Sequence, residues 1–369
     1  MLDKQSSDAP PLPLTAFLKL SRIRAEWKTY FPLTTDVVLS INRSFARHPL
    51  IDVNRWIEWH KRYGTLGTAY DYLVGAVWGK QSLDSPLERA ESIVSQAVLS
   101  LEELKQQKQA LKVELEHTKD TSKTAILLYR ILHIEEAARR QSKYPGRFKL
   151  LKQFLVREID GIRRSAWEEI TPDFLRALGA LADLDAMFRS ALVPFPDWIR
   201  SPKVTNLAGL VSILRRKYPN PFVNQLRALY EVTREDLPRT GRIIYNPEFG
   251  GAKGIGLAAD GDLLIGDLLV DFKVSVKRFK GNYLWQLLSY VALDRLKGEN
   301  RIKRVGLYNP RFRAFYREPV EYLIRRIGGT NFDDFCEWFR ENASKSSVQR
   351  AVLHDKERLL KPYKELSLL

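Results

Sequence analysis

Two aspartates and a lysine stand at a spacing that suits metal chemistry. Gly266-Asp267 separates two apolar runs, a pattern typical of a two-residue β-hairpin turn. Pairing outward from this turn places Asp262 directly opposite Asp271. Because side chains alternate along a strand, Lys273 emerges on the same face as Asp271. The spacing therefore predicts an acidic pair with an adjacent ammonium group on one face of a hairpin.

Directly opposed aspartates repel each other, since their Cβ atoms lie only about 4.5–5.5 Å apart. A divalent cation held between the two carboxylates removes that repulsion. Such an ion polarises a phosphoryl oxygen and generates hydroxide, while a lysine positions water or offsets developing charge. The alternative is a surface hairpin with solvated acids and an Asp260–Lys273 ion pair. On geometry alone, the metal site is favoured over this alternative.

The remaining composition restricts which metal such a site would use. The chain contains one cysteine, Cys336, and five histidines, none of which has zinc-ligand spacing to another. A metal site must therefore use carboxylates, which favours Mg²⁺ or Mn²⁺ over zinc.

A second polar pair follows on the next predicted helix. Gln286 and Tyr290 are four residues apart and so share a helical face within a mainly apolar segment, for which Asn282 is the predicted N-cap. Considered by itself, this pair is better explained by ordinary packing at an amphipathic edge.

Together these residues resemble the PD-(D/E)XK phosphodiesterases, a superfamily of restriction enzymes and recombination nucleases. The matches are Asp262, then Asp271-Phe272-Lys273, within the segment Ala258–Ile265 and the strand after it. Gln286-x-x-x-Tyr290 is similar to the third motif of the RecB-like branch, where these residues lie beside the metal and help to hold the strand. The resemblance covers roughly 120 of the 369 residues.

The resemblance implies a restriction-endonuclease-like core and Mg²⁺-dependent cleavage of DNA, with RNA as an open alternative. Many members add a metal-binding glutamate from the preceding helix. Glu231 is the better placed candidate here, and Glu248 is the alternative. The upstream histidine common in the RecB-like branch is absent between Pro202 and Asp262.

The charge distribution favours a polyanionic partner. The formal net charge is +16, with 60 lysines and arginines against 44 acids, and the residues from 201 onward contribute +11 of it. The predicted phosphate contacts are Lys277, Arg278 and Lys280, with Arg311 and Arg313 as weaker candidates. Lys253, in the glycine-rich loop 250–256, is a further candidate. That loop lacks the Gly-Lys-Ser/Thr ending of a nucleotide-binding loop, which argues against ATP binding.

The elements that position these residues are predicted to form an α+β protein. Residues 1–200 read as an all-helical domain, 201–330 as the nuclease-like domain and 331–369 as a C-terminal helical extension. Within the first domain, apolar residues recur in steps of three and four from Leu87 to Leu115 and again from Leu127 to Ala138. These patterns favour an antiparallel helical hairpin at about 85–141, with a dimeric coiled coil as the alternative. The hairpin offers a surface for self-association or for a protein partner.

Two functional classes remain open on the sequence. The leading one is a cytoplasmic, metal-dependent nuclease, since no apolar stretch suits a membrane span and Met1 to Pro13 lack the character of a signal peptide. Domains of this kind fused to unfamiliar helical regions often act in bacterial defence against foreign DNA. The alternative is an inactive nucleic-acid-binding or scaffold protein that retains the fold.

Overall fold

The computed structural model forms two compact units, comprising residues 1–52 with 231–369 and residues 53–230. It describes residues 12–60, 62–78, 83–117, 131, 135, 143–164, 170–190, 196–238, 241–250 and 254–344. The mixed α+β class predicted from the sequence is confirmed. The two units are called the sheet unit and the helical unit below.

The sheet unit begins with a short strand and three helices that the sequence suggested only in part. The sequence from Leu14 to Lys28 predicts a single short helix. The chain instead turns at residues 18–20 and forms two helices, followed by a third. The elements are β1 (Leu12–Pro13), α1 (Leu14–Phe17), α2 (Ser21–Tyr30) and α3 (Thr34–Arg43).

The helical unit consists of helices throughout its described residues. Its longest element spans Leu87 to Leu115, the first arm of the predicted hairpin. The sequence also predicts helices over 147–164 and 172–191, and these are confirmed to within a few residues. The elements are α4 (Arg55–Trp59), α5 (Tyr63–Leu73), a π-helical turn (Val74–Trp78), α6 (Asp84–His117), α7 (Tyr144–Arg164), α8 (Pro172–Ser190), α9 (Asp197–Arg200), α10 (Leu207–Lys217) and α11 (Asn220–Asp236), whose last residues belong to the sheet unit.

The first arm of the predicted helical hairpin is one continuous helix, α6. Its early apolar positions are buried in the helical unit, as shown by Leu87 and Val94. Most of the predicted second arm lies outside the described residues. Two of its members are described: Ile131 packs with Leu111, and Glu135 forms an ion pair with Lys108. These contacts run antiparallel, which agrees with the intramolecular hairpin.

The rest of the sheet unit is a five-stranded mixed sheet with helices packed on it. The sheet order is β2-β4-β5-β6-β7, in which β5 and β6 are parallel and the other neighbours are antiparallel. The elements are β2 (Ile243–Tyr245), β3 (Leu257–Ala258), β4 (Leu263–Ile265), β5 (Leu268–Phe272), α12 (Gly281–Leu296), β6 (Arg304–Asn309), β7 (Ala314–Pro319), α13 (Val320–Arg326) and α14 (Phe332–Ala343). The helix α12 crosses between the two parallel strands, as such a pair requires.

The hairpin formed by β4 and β5 has the predicted register. Leu263 pairs with Val270, and Ile265 pairs with Leu268. Gly266 has a φ of 61°, which meets the need for a positive φ at the first central position of a II′ turn. The backbone carbonyl of the next residue, Asp267, accepts hydrogen bonds from the strand that follows α12.

One core of the sheet unit lies between the sheet and the helices packed on it. Leu264 and Leu269 contribute from the hairpin, and α12 contributes most of its residues. Helix α2 contributes Trp27, whose ring stacks on that of Trp285 at 5.7 Å between centroids. Residues 12–52 therefore build the same core as the strands. The predicted boundaries were wrong here, because they assigned these residues to the helical domain.

Two further predictions are corrected in this unit. Helix α14 was expected to belong to a C-terminal extension, but its Phe335 and Phe339 are fully buried in this core. Residues 345–369 lie outside the described part. Asn282 was expected to cap α12, but the helix already begins at Gly281, after Lys280, and Asn282 is exposed in its first turn. Among the helices that the structure describes, none is long and apolar enough to span a membrane.

Candidate active site

The acidic pair lies where the hairpin strands stop pairing. On the N-terminal side of Leu263 the chain no longer pairs with β5. There the Gly261 amide donates to the carbonyl of Pro247 at 3.0 Å. A side chain at Gly261 would meet the Phe249 ring at 2.8 Å, so only glycine fits there. The Asp262 carboxylate then takes over as acceptor for the Phe272 amide, at 2.5 Å. This bond fixes Asp262 beside the end of β5.

Asp271 and Asp262 come together as the register predicts. The Asp271 side chain is 1% exposed, and its carboxyl group lies within hydrogen-bonding contact of the Asp262 carboxyl. Burial raises the pKa of Asp271, while the Lys273 ammonium and the Asp262 carboxyl counteract the rise. Its Oδ1 accepts no hydrogen bond from an amide, hydroxyl or ammonium group among the described residues.

Lys273 is held at the same point by groups from two elements. Its ammonium forms an ion pair with Oδ2 of Asp271 and donates to Oε1 of Gln286 at 3.2 Å. Burial lowers the pKa of Lys273, but the charges of Asp271 and Asp262 outweigh burial and raise it overall. Lys273 therefore remains a cation beside the acids. The hairpin register also places Asp260 opposite Lys273, but the backbone of Asp260 instead forms an antiparallel bridge with Glu248.

Helix α12 delivers the predicted polar pair to the site. Gln286 donates from Nε2 to the Tyr290 hydroxyl at 2.7 Å, so the two residues are linked as their spacing suggested. Burial raises the pKa of Tyr290 well above its ordinary value, and the charges of Asp271 and Asp262 add to the rise. Its hydroxyl therefore stays protonated. The Lys273–Gln286–Tyr290 chain joins the end of β5 to α12.

Two aromatic residues of the site were missed by the sequence reasoning. The ring of Tyr283 lies 4.9 Å from the Lys273 ammonium, measured to the ring centroid. Phe249 packs against the Tyr290 ring at 5.3 Å. Tyr283 carried a usable signal, since it precedes Gln286 by three residues and shares its helical face. Phe249 carried none, because it comes from a loop before β3.

The predicted third ligand is not brought to the acidic pair. Glu231 is exposed on α11, since Tyr230 and Thr233 turn the buried face of that helix away from it. Glu248 is exposed as well, across the bridge from Asp260. Over the residues that the structure describes, no group of three or more His, Cys, Asp and Glu side chains is arranged to hold a metal ion. The structure thus assembles a pair of carboxylates.

The predicted phosphate contacts divide into two groups. Lys277 and Lys280 are exposed on the segment between β5 and α12, as a phosphate-binding role requires. Arg278 is only partly exposed, and its guanidinium donates to the carbonyls of Asn42 at 2.6 Å and of Ala46 at 2.7 Å. Lys253 lies outside the described residues.

Arg311 and Arg313 are also engaged in structural contacts. Arg311 is 1% exposed and donates to the carbonyls of Ile51 and Asp52. Arg313 forms ion pairs with Glu235 and Asp236 on α11. Both guanidinium groups therefore bind carbonyl or carboxylate oxygens of the sheet unit.

Comparison with known proteins adds no assignment: no family model matches the chain, and no curated protein or solved structure matches it.

Proposed function

We propose that the chain is a metal-dependent nuclease whose site is Asp262, Asp271 and Lys273. The observation that supports this most strongly is the Asp271 carboxylate, buried beside a second carboxylate and a lysine. Burial of an ionised group is unfavourable unless partners compensate for it. Here one carboxylate oxygen accepts nothing from an amide, hydroxyl or ammonium among the described residues.

The donor set fits a hard divalent cation. Asp262 and Asp271 offer carboxylate oxygens, the ligands that Mg²⁺ and Mn²⁺ prefer. When bound, the ion would supply Lewis-acid activation of a phosphodiester. Because no known protein matches the chain, the proposed metal and reaction rest on these residues and on their resemblance to the PD-(D/E)XK motif. A restriction-endonuclease-like core is part of the same proposal.

The protein side chains would orient the substrate around this centre. Lys273 presents a cation where charge develops on a phosphoryl oxygen, and Gln286 fixes its direction. Tyr290, protonated and bonded to Gln286, holds that amide in place. Lys277 and Lys280 would draw the phosphate backbone toward two acids that repel it. We propose DNA as the substrate, with RNA as the alternative to be tested in parallel.

Incubation of purified protein with linear and circular DNA, with Mg²⁺ or with chelator, tests the proposal. We expect cleavage only with Mg²⁺. Asp262→Asn, Asp271→Asn and Lys273→Gln should each reduce it by at least about a hundredfold, since even residues that only support metal ligands contribute about 10–100-fold.

Asp267→Asn is the matched control, because it removes an acid from the turn of the same hairpin, paired with Arg304. Its rate should match the wild type. Binding of DNA without any Mg²⁺-dependent cleavage would replace the enzyme with an inactive nucleic-acid-binding protein. Cleavage of RNA alone would retain the site and change the substrate.

A further inference from the structure

The Lys273 ammonium has three N–H donors, and the structure shows how two of them are used. One side of the ammonium faces the Asp271 carboxylate in an ion pair, and another donates to Gln286. A third contact comes from Tyr283, whose ring centroid lies 4.9 Å from Nζ. The ammonium is thus surrounded by a carboxylate, an amide oxygen and an aromatic face.

An aromatic face is a distinctive neighbour for a reacting lysine. The ring attracts the cation through its quadrupole and has no lone pair that would accept a strong hydrogen bond from it. A polar side chain at this position would compete for the remaining N–H. The ring therefore stabilises the charge of Lys273 while leaving a donor for a phosphoryl oxygen.

Tyr283 is also placed to hold this contact rigidly. It lies in the first turn of α12, three residues before Gln286, so both contacts to Lys273 come from one helical face. The segment just before the helix is anchored in turn. The Asn42 side chain accepts from the Phe279 amide at 3.1 Å and donates to the Phe279 carbonyl at 2.9 Å.

We propose that Tyr283 is a positioning residue of the nuclease site, which holds the Lys273 ammonium against its ring and directs its remaining N–H toward the scissile phosphate. This inference rests on the proposed nuclease function. It adds a residue that acts through Lys273 and does not itself touch the reacting atoms. The ring, and not the hydroxyl, carries the role.

The alternative roles of Tyr283 are simple packing and a hydroxyl contact to the substrate, and kinetics of two variants separate them. Tyr283→Phe keeps the ring and should retain the wild-type kcat to within about twofold. Tyr283→Leu removes the ring and should lower kcat by about tenfold with little change in KM, because a desolvated cation–π contact is lost in the step where Lys273 acts.

Tyr322→Leu is the matched control for this experiment. Tyr322 lies on α13 and also carries a cation over its ring, the Arg326 guanidinium at 5.8 Å. Its replacement removes the same kind of contact elsewhere in the sheet unit, so kcat should be unchanged. Equal losses in Tyr283→Phe and Tyr283→Leu would overturn the proposal in favour of the hydroxyl. An unchanged kcat in Tyr283→Leu would overturn it outright.

A measurement independent of activity tests the contact itself. In protein with ¹³C-labelled lysines, the Cε protons of Lys273, assigned through Lys273→Arg, should be shifted upfield by the ring current of Tyr283. The shift should persist in Tyr283→Phe and vanish in Tyr283→Leu. Its absence in the wild type would overturn the proposal even if cleavage is observed. A wild-type protein that shows the shift but never cleaves nucleic acid would instead refute the nuclease function, and the positioning role would fail with it.

Discussion

Asp271 is the residue whose position is hardest to explain by stability alone. A buried ion pair such as Asp271–Lys273 is weak evidence for stability, because desolvation of the two charges offsets their attraction. The second acid, Asp262, lies within hydrogen-bonding contact of Asp271 and brings a third ionisable group to the same point. Apolar residues would fill this place at the edge of the core with less strain. A cluster of three ionisable groups here is the arrangement expected of a site that a ligand completes.

Mg²⁺ should therefore stabilise the folded protein. A ligand that binds only the native state contributes about 2.7 kcal/mol at a hundred times its dissociation constant. We expect the thermal unfolding midpoint to rise as Mg²⁺ is added to the wild type and to stay constant in Asp271→Asn. Calorimetry with matched ionic strength provides the measurement. An equal rise in both proteins would place the binding of Mg²⁺ elsewhere.

The same stabilisation should depend on pH with a defined sign. Protons and Mg²⁺ compete for the Asp271 carboxylate, so the effect of Mg²⁺ is present at high pH and is lost as pH falls through the pKa of Asp271. Because burial raises that pKa, the loss should begin above the range near 3.9 in which an ordinary aspartate titrates. A Mg²⁺ effect that persists unchanged to about pH 4 would contradict this assignment.

Of the predicted phosphate contacts that lie in the described part of the chain, the exposed lysines of the segment before α12 are best placed to contact phosphate. Lys277→Ala with Lys280→Ala should flatten the slope of log affinity against log salt by about 1.8 on duplex DNA, or about 1.4 on single strands, if each lysine releases one counterion. The chemical step at saturating DNA should change little. Lys19→Ala with Lys28→Ala removes the same charge from exposed positions elsewhere in the sheet unit. Equal slopes in the two double variants would exclude a specific path over Lys277 and Lys280.

At the scale of elements, the β4–β5 hairpin could be predicted from the sequence. The contacts of α3 with the segment before α12 could not. The pairing of β4 with β5 depends on a two-residue turn and on apolar alternation, both of which are local in the sequence. The Asn42–Phe279 contact joins residues 237 positions apart, and no periodic pattern in the sequence predicts it. The hydrogen bonds of Arg278 could not be predicted for the same reason, because a sequence shows its charge but not the carbonyl at the end of α3 that it binds.

The contact between α3 and the segment before α12 should stabilise both the fold and the site. Asn42→Ala leaves the Phe279 amide and carbonyl without their side-chain partner. An unsatisfied buried group of this kind lowers the free energy of unfolding by about 1–3 kcal/mol. Urea unfolding should show this loss, and cleavage should fall because this segment connects Lys273 to α12. Asn282→Ala, at an exposed position in the first turn of that helix, should stay within about 0.5 kcal/mol of the wild type. Equal stabilities of the two variants would show that the Asn42 contact contributes nothing.

For the whole molecule, domain boundaries could not be predicted correctly, because one unit is built from two separate stretches of the chain. The composition shift near residue 200 is real, but the sheet unit also takes in residues 1–52, so it is interrupted by the helical unit. Boundaries predicted from composition assume that each domain is continuous in sequence. That residues 1–52 belong to the sheet unit is seen only in three dimensions. Trp27 stacks on Trp285, and the Thr34 hydroxyl accepts a hydrogen bond from the Trp285 indole.

The outer half of the helical hairpin is expected to serve assembly and not hydrolysis. Leu87 and Val94 at the start of α6 are buried in the helical unit, whereas farther out Lys108 pairs with Glu135. Replacing residues 106–137 by a short glycine–serine turn removes the Lys108–Glu135 and Leu111–Ile131 contacts together and keeps Leu87 and Val94, which are buried in the helical unit. We expect the helical unit to stay folded by circular dichroism, Mg²⁺-dependent cleavage of a short naked DNA to stay within about twofold, and self-association or partner binding, measured by light scattering and pull-down, to fall. Lys108→Ala, which breaks only one half-exposed ion pair, is the control and should leave all three unchanged, since such pairs contribute little. Loss of cleavage in the shortened protein, with both units still folded, would show that the hairpin takes part in hydrolysis.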